Sequence, residues 1–256
     1  MEFDAEITQT LERCYLGADV TQRRKLSFEA LDPAPGESIL DIGCGNAMLT
    51  VELARAVGVD GRVIGVDPST AMRDAAIRRC SEIPSIDIRE GTATKLPVEN
   101  DSIDKAVSLQ VFEYLDDIPN ALSESYRILR KNGKLVVGDM HFDSWVWFSK
   151  NPGRMDRVIR AWDEHLSERC VPAIISPHMR EQGFYIDKIQ AHTFCDYKLK
   201  PDGIANMLLT LMERFCITNK LIRAEDIIQW RDEQHDLARS GQFFFSITHY
   251  IVIARK

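Results

Sequence analysis

A short stretch between two apolar segments carries the residue types that nucleotide-binding proteins place beside their ligand. The stretch, ILDIGCGNAML at 39–49, contains Asp41, Gly43 and Gly45, and a second aspartate, Asp67, follows the next apolar run. Glycines between a strand and a helix let the backbone approach a ligand closely and direct helix N-terminal N–H groups towards it. The sequence therefore predicts a nucleotide site at this turn.

Two classes of nucleotide ligand fit a turn of this kind. The dinucleotide fingerprint G-x-G-x-x-G needs a third glycine for close helix packing, and the position counted from Gly43 holds Met48. The sequence thus disfavours a nicotinamide dinucleotide and leaves a different nucleoside ligand as the better interpretation.

The elements around this turn alternate between short β-branched runs and segments with helical apolar spacing, through about residue 140. Such alternation is typical of βαβ units around a parallel sheet. Five strands are predicted by SILDI (38–42), RVIGV (62–66), IDIRE (86–90), IDKAVSL (103–109) and GKLVVGDM (133–140). Helices are predicted over 47–58 and 118–133. Two later strands, in FYIDKIQAHTFCDYKL and QFFFSITHYIVIAR, predict a hairpin-like edge with a helical insertion between them.

In this order of motifs the sequence resembles the class I S-adenosylmethionine-dependent methyltransferases. The resemblance begins at D-x-G-x-G-N-A and continues through GTATKLPVENDSIDKAVSLQVFEYLDD and ILRKNGKLVVGD, covering about residues 35–140. It is most similar to the small-molecule group typified by quinone-biosynthesis and antibiotic-tailoring enzymes. The resemblance implies a Rossmann-like α/β fold with a mostly parallel sheet and an antiparallel last strand. It also implies S-adenosyl-L-methionine as cofactor and methyl transfer to a small-molecule acceptor.

The resemblance further implies which residues bind the cofactor. Asp41 corresponds to the motif aspartate, which either attracts the methionine ammonium or holds the turn closed as a capping carboxylate. Asp67 corresponds to the ribose ligand and has two oxygens that can accept from both hydroxyls. The family's usual aspartate after Gly91 is replaced by Thr92, so Thr92 or the backbone of Ala93 must contact the adenine. The predicted set is Tyr15, Asp41, Gly43, Cys44, Gly45, Asp67, Pro68, Thr92, Ala93, Gln110 and Val111.

Residues beyond Met140 supply the candidates for catalysis. Transfer from a sulfonium is an in-line displacement that needs an acceptor about 3–3.5 Å from the methyl carbon in a site closed to water. His141 follows the expected end of the fifth strand, so it is predicted either as a general base at the site mouth or as a surface loop residue. Nearby aromatic residues predict an acceptor pocket or core packing: Trp145, Trp147 and Phe148. Weaker candidates are His165, His178 and His249.

One domain with accessory helical segments accounts for 256 residues. Residues 1–30 are predicted as an N-terminal helical lid and 31–256 as the methyltransferase domain, with lid or cap segments at about 141–182 and 201–242. The second segment contains an apolar helical face that predicts core packing, closure of the acceptor pocket or a homodimer contact. This face comprises Met207, Leu208, Leu211, Met212 and Phe215.

Composition excludes several other classes. A formal net charge of -7 argues against a nucleic-acid partner, and the basic run Arg23-Arg24-Lys25 is predicted as a solvated helix face. No membrane span is expected, and the acidic N-terminus predicts a cytoplasmic protein. Six cysteines without metal-site spacing predict reduced, mostly buried thiols and no metal site.

Two further functions fit the same motifs. One is an enzyme that keeps the cofactor but performs other chemistry, such as a cyclisation assisted by the sulfonium charge. The other is a nonenzymatic binding module on the same fold. Methylation adds one CH2 to the product, which distinguishes the first reading from these two.

Overall fold

The structure, a computed structural model, describes residues 15–256 as a sheet of seven strands flanked by helices. The strands are β1 Ser38–Ile42, β2 Arg62–Asp67, β3 Ile86–Glu90, β4 Ile103–Leu109, β5 Leu129–Trp147, β6 Tyr185–Asp196 and β7 Phe245–Arg255. The helices are α1 Ala18–Leu31, α2 Met48–Val57, α3 Thr70–Cys80, α4 Ile118–Ile128, α5 Pro152–Asp163, α6 Val171–Glu181, α7 Ile204–Thr218 and α8 Ala224–Arg239, with a 3-10 turn at Phe112–Tyr114.

The strand order is β3-β2-β1-β4-β5-β7-β6. Neighbours are parallel up to β5, and β7 pairs antiparallel with both β5 and β6. The predicted Rossmann-like α/β fold with an antiparallel last strand is confirmed. The chain order reverses between β1 and β4, and open α/β sheets bind ligands at the carboxyl ends of strands at such a point.

The region around β5 differs from the predicted one. The helix predicted to reach residue 133 ends at Ile128, and β5 begins at Leu129. The strand was expected to end near Met140 but continues to Trp147, because β7 offers it backbone partners as far as Phe245. The first cap segment therefore begins after Trp147, seven residues later than predicted.

Two kinds of core hold the chain together. Apolar side chains of the strands and of α2 and α4 fill the two sides of the sheet. A separate cap core joins α5, α7 and α8 to the far ends of β5 and β7, with Trp147, Trp230 and Phe245 at its centre. Helix α6 packs through Val171 and Ile175 on the sheet core, so only the earlier part of the predicted 141–182 segment belongs to the cap.

Helix α1 packs on the sheet through a face that contains two arginines. The prediction of a solvated basic face is wrong for Arg23 and Arg24, which are buried, whereas Lys25 is exposed. Arg24 Nε donates to Glu52 Oε1 at 2.8 Å, which ties α1 to α2. Each guanidinium has an acidic or amide oxygen as partner, and burial of a charged group is tolerated under that condition.

Across residues 15–256, no helix combines the length and the apolar character that crossing a membrane requires. The same range contains no group of three His, Cys, Asp or Glu side chains arranged to hold a metal ion. Five cysteines are described as free thiols, of which Cys44, Cys80 and Cys216 are buried. Cys195 is exposed, and Cys14 lies outside the described residues.

Candidate active site

A cavity of about 620 Å³ lies at the carboxyl ends of β1 and β4 and extends beneath the cap. Small-molecule sites commonly have volumes of about 300–1,000 Å³. Every residue of the predicted cofactor-binding set lines it: Tyr15, Asp41, Gly43, Cys44, Gly45, Asp67, Pro68, Thr92, Ala93, Gln110 and Val111. Separate strands contribute these residues, so the topology of the sheet brings them together.

The glycine turn after β1 has a backbone that requires glycine at its first position. Gly43 has φ +70°, and a Cβ added there would lie 2.3 Å from Val111 Cγ2. Gly45 also has a positive φ, +53°, but the direction of its missing Cβ is open for at least 4 Å. Gly43 N and Cys44 N donate to Val66 O at 2.8 and 3.0 Å. The turn is thus fixed against β2 while Gly45 leaves space on the cavity side.

Asp67 ends β2 with its carboxylate at the cavity wall. Its Oδ2 accepts from Gly45 N at 2.9 Å and its Oδ1 from Ser69 N at 2.8 Å. Burial raises the pKa of Asp67, whereas these two N–H groups and Arg73 lower it. Because a carboxylate oxygen can accept more than one hydrogen bond, both oxygens retain capacity for the hydroxyls of a ligand.

Asp41 is buried at the base of the same turn. Thr50 Oγ1 donates to Asp41 Oδ2 at 2.6 Å, and burial raises the pKa of the carboxyl to about 7. The hydrogen bond joins β1 to α2 across the turn, as the capping alternative requires. Asp41 also lines the cavity, so its geometry remains compatible with the ammonium alternative as well.

The third strand delivers the predicted adenine contacts to the cavity edge. Thr92 is exposed and its Oγ1 lies 3.1 Å from Thr94 Oγ1, whereas Ala93 is buried. A Cβ on Gly91 would lie 2.6 Å from Pro97 Cδ, so the loop turns closely on itself here. Thr92 therefore presents a hydroxyl at the place where the family resemblance implies an aspartate.

A buried polar network beside β4 escaped the sequence analysis. Gln110 has a left-handed backbone with φ +56°, a rare conformation for a residue with a side chain. Its Oε1 accepts from Arg23 Nη1, and its Nε2 donates to Glu113 Oε2 at 3.0 Å. Burial raises the pKa of Glu113 to about 7, although Arg23 lowers it. The pattern of α1 gave no signal for this contact, because Gln110 is 87 residues away.

Asp139 extends the network beneath the cavity. Only 1% of Asp139 is exposed. Burial and the charge of Glu113 raise its pKa well above the ordinary value. On the other side of β5, burial keeps the pKa of His249 well below its usual range. A Cβ on Gly138 would lie 3.0 Å from both His249 Nε2 and Ser27 Oγ, which shows how tightly this layer is packed.

The prediction of His141 as a general base at the site mouth conflicts with the structure. His141 lies within β5, paired with Thr248, and its ring meets the Tyr250 ring edge-on at 6.0 Å. Its chain neighbours Met140 and Phe142 line the cavity, but His141 does not. Successive side chains of a strand point to opposite faces, so the extension of β5 turns His141 away.

The half of the cavity beneath the cap is predominantly apolar. Its wall includes Phe142, Trp162, His165, Met207, Leu208, Leu211 and Ile247. Trp145 and Trp147 pack instead in the cap core, and Phe148 is exposed. The apolar face of α7 is thus used for core packing and for the cavity wall: Met207, Leu208 and Met212 are buried, and Leu211 and Phe215 are half-buried.

Known proteins share this fold and its motifs. The Methyltransferase domain family model matches residues 40–137. A 2-phytyl-1,4-naphtoquinone methyltransferase from a Nostoc species is 34% identical over 168 residues, which cover 61% of this chain and 70% of that protein.

Two solved structures match the fold at lower identity. Phosphoethanolamine N-methyltransferase 2 of Haemonchus contortus, in complex with S-adenosyl-L-methionine, is 15% identical, with a TM-score of 0.65 over 99% of this chain and 57% of that one. The [4+2]-cyclase SpnF is 17% identical, with a TM-score of 0.59 over 93% of this chain and 80% of that one. These identities establish the fold alone.

The curated relatives extend beyond the matched region. The chain spans from 42% to 70% of the length of the first of these relatives, and less than two thirds of most of them. The family match includes the glycine turn and strands β2, β3 and β4. The chain belongs to the class I S-adenosylmethionine-dependent methyltransferases, and S-adenosyl-L-methionine is its cofactor.

Proposed function

We propose that the protein transfers the methyl group of S-adenosylmethionine to a small, largely apolar acceptor and releases S-adenosylhomocysteine. The observation that carries this proposal is a single cavity that joins two different halves. One half contains Asp67 and the open side of Gly45, and the other is lined by Phe142, Trp162 and Leu208. A cofactor and an apolar acceptor can therefore meet without crossing bulk water.

The residues of the first half fit the cofactor by their chemistry. Asp67 accepts the ribose hydroxyls while Gly45 N and Ser69 N hold its carboxylate in place. Gly45 leaves room for the amino-acid part, and Thr92 or the backbone of Ala93 contacts the adenine. When bound, the cofactor supplies a methyl group activated by a sulfonium. The protein contributes orientation and a site of low water content.

Helix α1 closes the site in this proposal. Val20, Arg23 and Arg24 line the cavity from this helix, and Tyr15 lies just before it. Residues 1–14 of the predicted lid lie outside the described residues. The ties of Arg23 to Gln110 and of Arg24 to Glu52 hold α1 over the glycine turn. The lid function of the first 30 residues follows as part of the proposal.

The acceptor class follows from the cap half. Its aromatic and aliphatic wall suits a ring compound, and the relative from Nostoc is named for a naphtoquinone. That match covers 61% of this chain. The cap helices α5 and α7 line this half of the cavity, through Trp162 and through Met207 and Leu208, so acceptor selectivity resides in them.

Calorimetry and product mass test the proposal together. Titration with S-adenosylmethionine, S-adenosylhomocysteine and NADH should give binding of the two sulfur compounds only. Incubation with a panel of hydroxylated and quinol-type ring compounds should yield a product heavier by one CH2. Glu90→Ala, at the exposed end of β3, serves as the matched control for Asp67→Ala. Binding of the cofactor without any methylated product across the panel would count against methyl transfer.

A second candidate function is chemistry other than methyl transfer on the same fold. The structural similarity to a [4+2]-cyclase is the observation that favours it. A cyclisation would convert the acceptor without any change in mass and without consuming S-adenosylmethionine. Chromatographic conversion at constant mass would therefore support this candidate over the first.

We also propose a cytoplasmic location and a protein without nucleic-acid partners. The formal net charge of -7 supports the second point, because nucleic-acid binding depends on clustered basic residues. Fractionation of cells would test the location. Light scattering would test the homodimer that the face of α7 offered as one of its alternatives.

A further inference from the structure

His165 is a buried polar residue in the apolar half of the cavity. It lies in the segment between α5 and α6, lines the cavity and is 9% exposed. Its ring lies against that of Trp162 with centroids 3.8 Å apart and an interplanar angle of 46°, and it lies 5.4 Å from the ring of Phe215. Tyr114 approaches from the β4 side with a ring separation of 5.8 Å. A buried imidazole among aromatic rings needs a polar partner for each nitrogen.

One nitrogen of His165 already has its partner. Nδ1 contacts the carbonyl oxygen of Trp162. A carbonyl can only accept a hydrogen bond, so Nδ1 carries the hydrogen and Nε2 carries a lone pair. Within the described residues, Nε2 has no hydrogen-bond partner. It is also not among the fully buried polar atoms, so a ligand in the cavity can reach it. Nε2 is thus the atom through which His165 offers an acceptor site to the cavity.

The segment that carries His165 is fastened at both ends. Ser167 N and Glu168 N donate to Glu113 O at 2.9 and 3.0 Å, which docks the segment on the loop after β4. Arg169 Nη1 donates to Asp163 Oδ2 at 2.6 Å at the end of α5. The position of the imidazole is therefore determined by the same loop that carries the cofactor-lining residues Gln110 and Val111.

We infer that His165 Nε2 receives the reacting hydroxyl of the acceptor and removes its proton, so that the acceptor is an apolar ring compound with an ionisable hydroxyl. This inference rests on the proposed methyl transfer. Burial lowers the pKa of His165 to about 4, which keeps the imidazole neutral and able to accept at neutral pH. In the sequence His165 was a weaker candidate, and the tertiary structure gives it the role first assigned to His141.

Bonds, proton and charge all balance during the transfer step. The acceptor O–H bond breaks and its proton moves to Nε2, while the oxygen forms a bond to the methyl carbon. The carbon–sulfur bond breaks and sulfur keeps the electron pair. One positive charge thus passes from the sulfonium to the imidazolium, so the site bears the same net charge before and after transfer. The imidazolium then releases its proton to water when the products leave.

Binding of simple probes tests recognition separately from methyl transfer. The protein saturated with S-adenosylhomocysteine is titrated with 2-naphthol and with naphthalene, which differ only by the hydroxyl. Because a neutral hydrogen bond contributes about 0.5–1.5 kcal/mol, the wild type should bind 2-naphthol about two- to twelvefold more tightly. His165→Phe retains a ring for stacking but should lose this preference while still binding naphthalene. His178→Phe, at a half-buried position of α6 outside the cavity lining, is the matched control and should keep it.

Catalysis provides the second measurement. His165→Asn retains a donor for the Trp162 carbonyl, and it should lower kcat for 2-naphthol by about 10²-fold, the lower end of the usual contribution of a general base, because the lowered pKa makes His165 a weaker base. A nitrophenol that is already ionised at the assay pH should be methylated by the variant at nearly the wild-type rate. A merely structural role would slow both acceptors equally.

The outcomes separate the two proposals. If the wild type prefers 2-naphthol through His165 but transfers no methyl group to any phenol, recognition by His165 stands and the proposed methyl transfer to hydroxyls fails. If the wild type binds both probes equally or binds neither, the inference is overturned. It is also overturned if His165→Phe keeps the preference, or if the variant slows the ionised nitrophenol as much as 2-naphthol. S-adenosylhomocysteine affinity should stay unchanged in every His165 variant.

Discussion

Gly43→Ala is the substitution for which the structure gives the sharpest expectation. Two costs apply to Gly43. With φ +70°, an alanine is held in the left-handed region at about 1–2 kcal/mol, and its Cβ would lie 2.3 Å from Val111 Cγ2. Overpacking of this kind costs about 1–3 kcal/mol. The smaller entropy of the unfolded alanine chain returns about 0.4–1 kcal/mol. The free energy of unfolding should therefore fall by about 1–5 kcal/mol, with the middle of the range near about 3 kcal/mol.

Gly45→Ala is the matched control, because it shares the positive φ without the clash. At φ +53° with open space around the added Cβ, it should lose only about 1 kcal/mol of stability. It should nevertheless weaken binding of S-adenosylmethionine, since that open space belongs to the cavity. Gly43→Ala should therefore mainly lower the stability of the fold, and Gly45→Ala should mainly lower the affinity for the cofactor.

Urea denaturation of the two variants measures this difference directly. Val111→Ala should rescue Gly43→Ala in part, because the atoms nearest the added Cβ are the two methyl carbons of Val111. A double-mutant cycle should give a favourable coupling of about 1–3 kcal/mol. Equal losses for the two glycine variants, or no coupling with Val111, would refute the steric explanation of the turn.

Three further predictions concern other parts of the chain. Asp67→Ala should weaken S-adenosylmethionine binding by about 1–3 kcal/mol, and unchanged calorimetric affinity would refute its ribose role. Because burial raises the pKa of Glu113 from 4.5 to about 7, its folded form keeps a proton that the unfolded chain releases, so its contribution to stability is lost as pH rises across that window. Glu113→Gln should therefore lose less of its free energy of unfolding between pH 4.5 and 7 than the wild type does, by at most about 3 kcal/mol. Parallel curves of unfolding free energy against pH for the two proteins would contradict this. Trp147→Phe should lower the free energy of unfolding by about 1–3 kcal/mol, because buried Gln234 Oε1 would lose the donor that lies 2.9 Å away. A urea midpoint equal to that of the wild type would contradict this role.

Most of the cofactor half of the site could be predicted because its residues belong to local motifs. Asp41, Gly43 and Asp67 lie at the carboxyl ends of strands that the apolar pattern identifies. Once βαβ units form a parallel sheet, these ends lie on one edge. All residues of the predicted set consequently line one cavity. Their individual roles in binding stay predictions until the affinities are measured.

The errors concern contacts between residues far apart in sequence. His141 leaves the site because β5 pairs with β7, more than a hundred residues later. The helix pattern alone predicted a solvated face for Arg23 and Arg24, but Arg23 donates to Gln110, 87 residues later in the chain. Apolar periodicity shows which residues favour burial, and it does not show which distant partner makes burial of a charged side chain tolerable.

The sequence by itself determined the sheet class, the glycine turn and the family, because each depends on spacing within a few tens of residues. Only the tertiary structure decided which side chains line the apolar half of the cavity. That choice depends on how far β5 extends, on how the cap helices fold over the sheet and on how Glu113 O holds the segment of His165. Each of these features is set by backbone pairing and packing between residues far apart in the chain, and a local sequence pattern does not identify those distant partners.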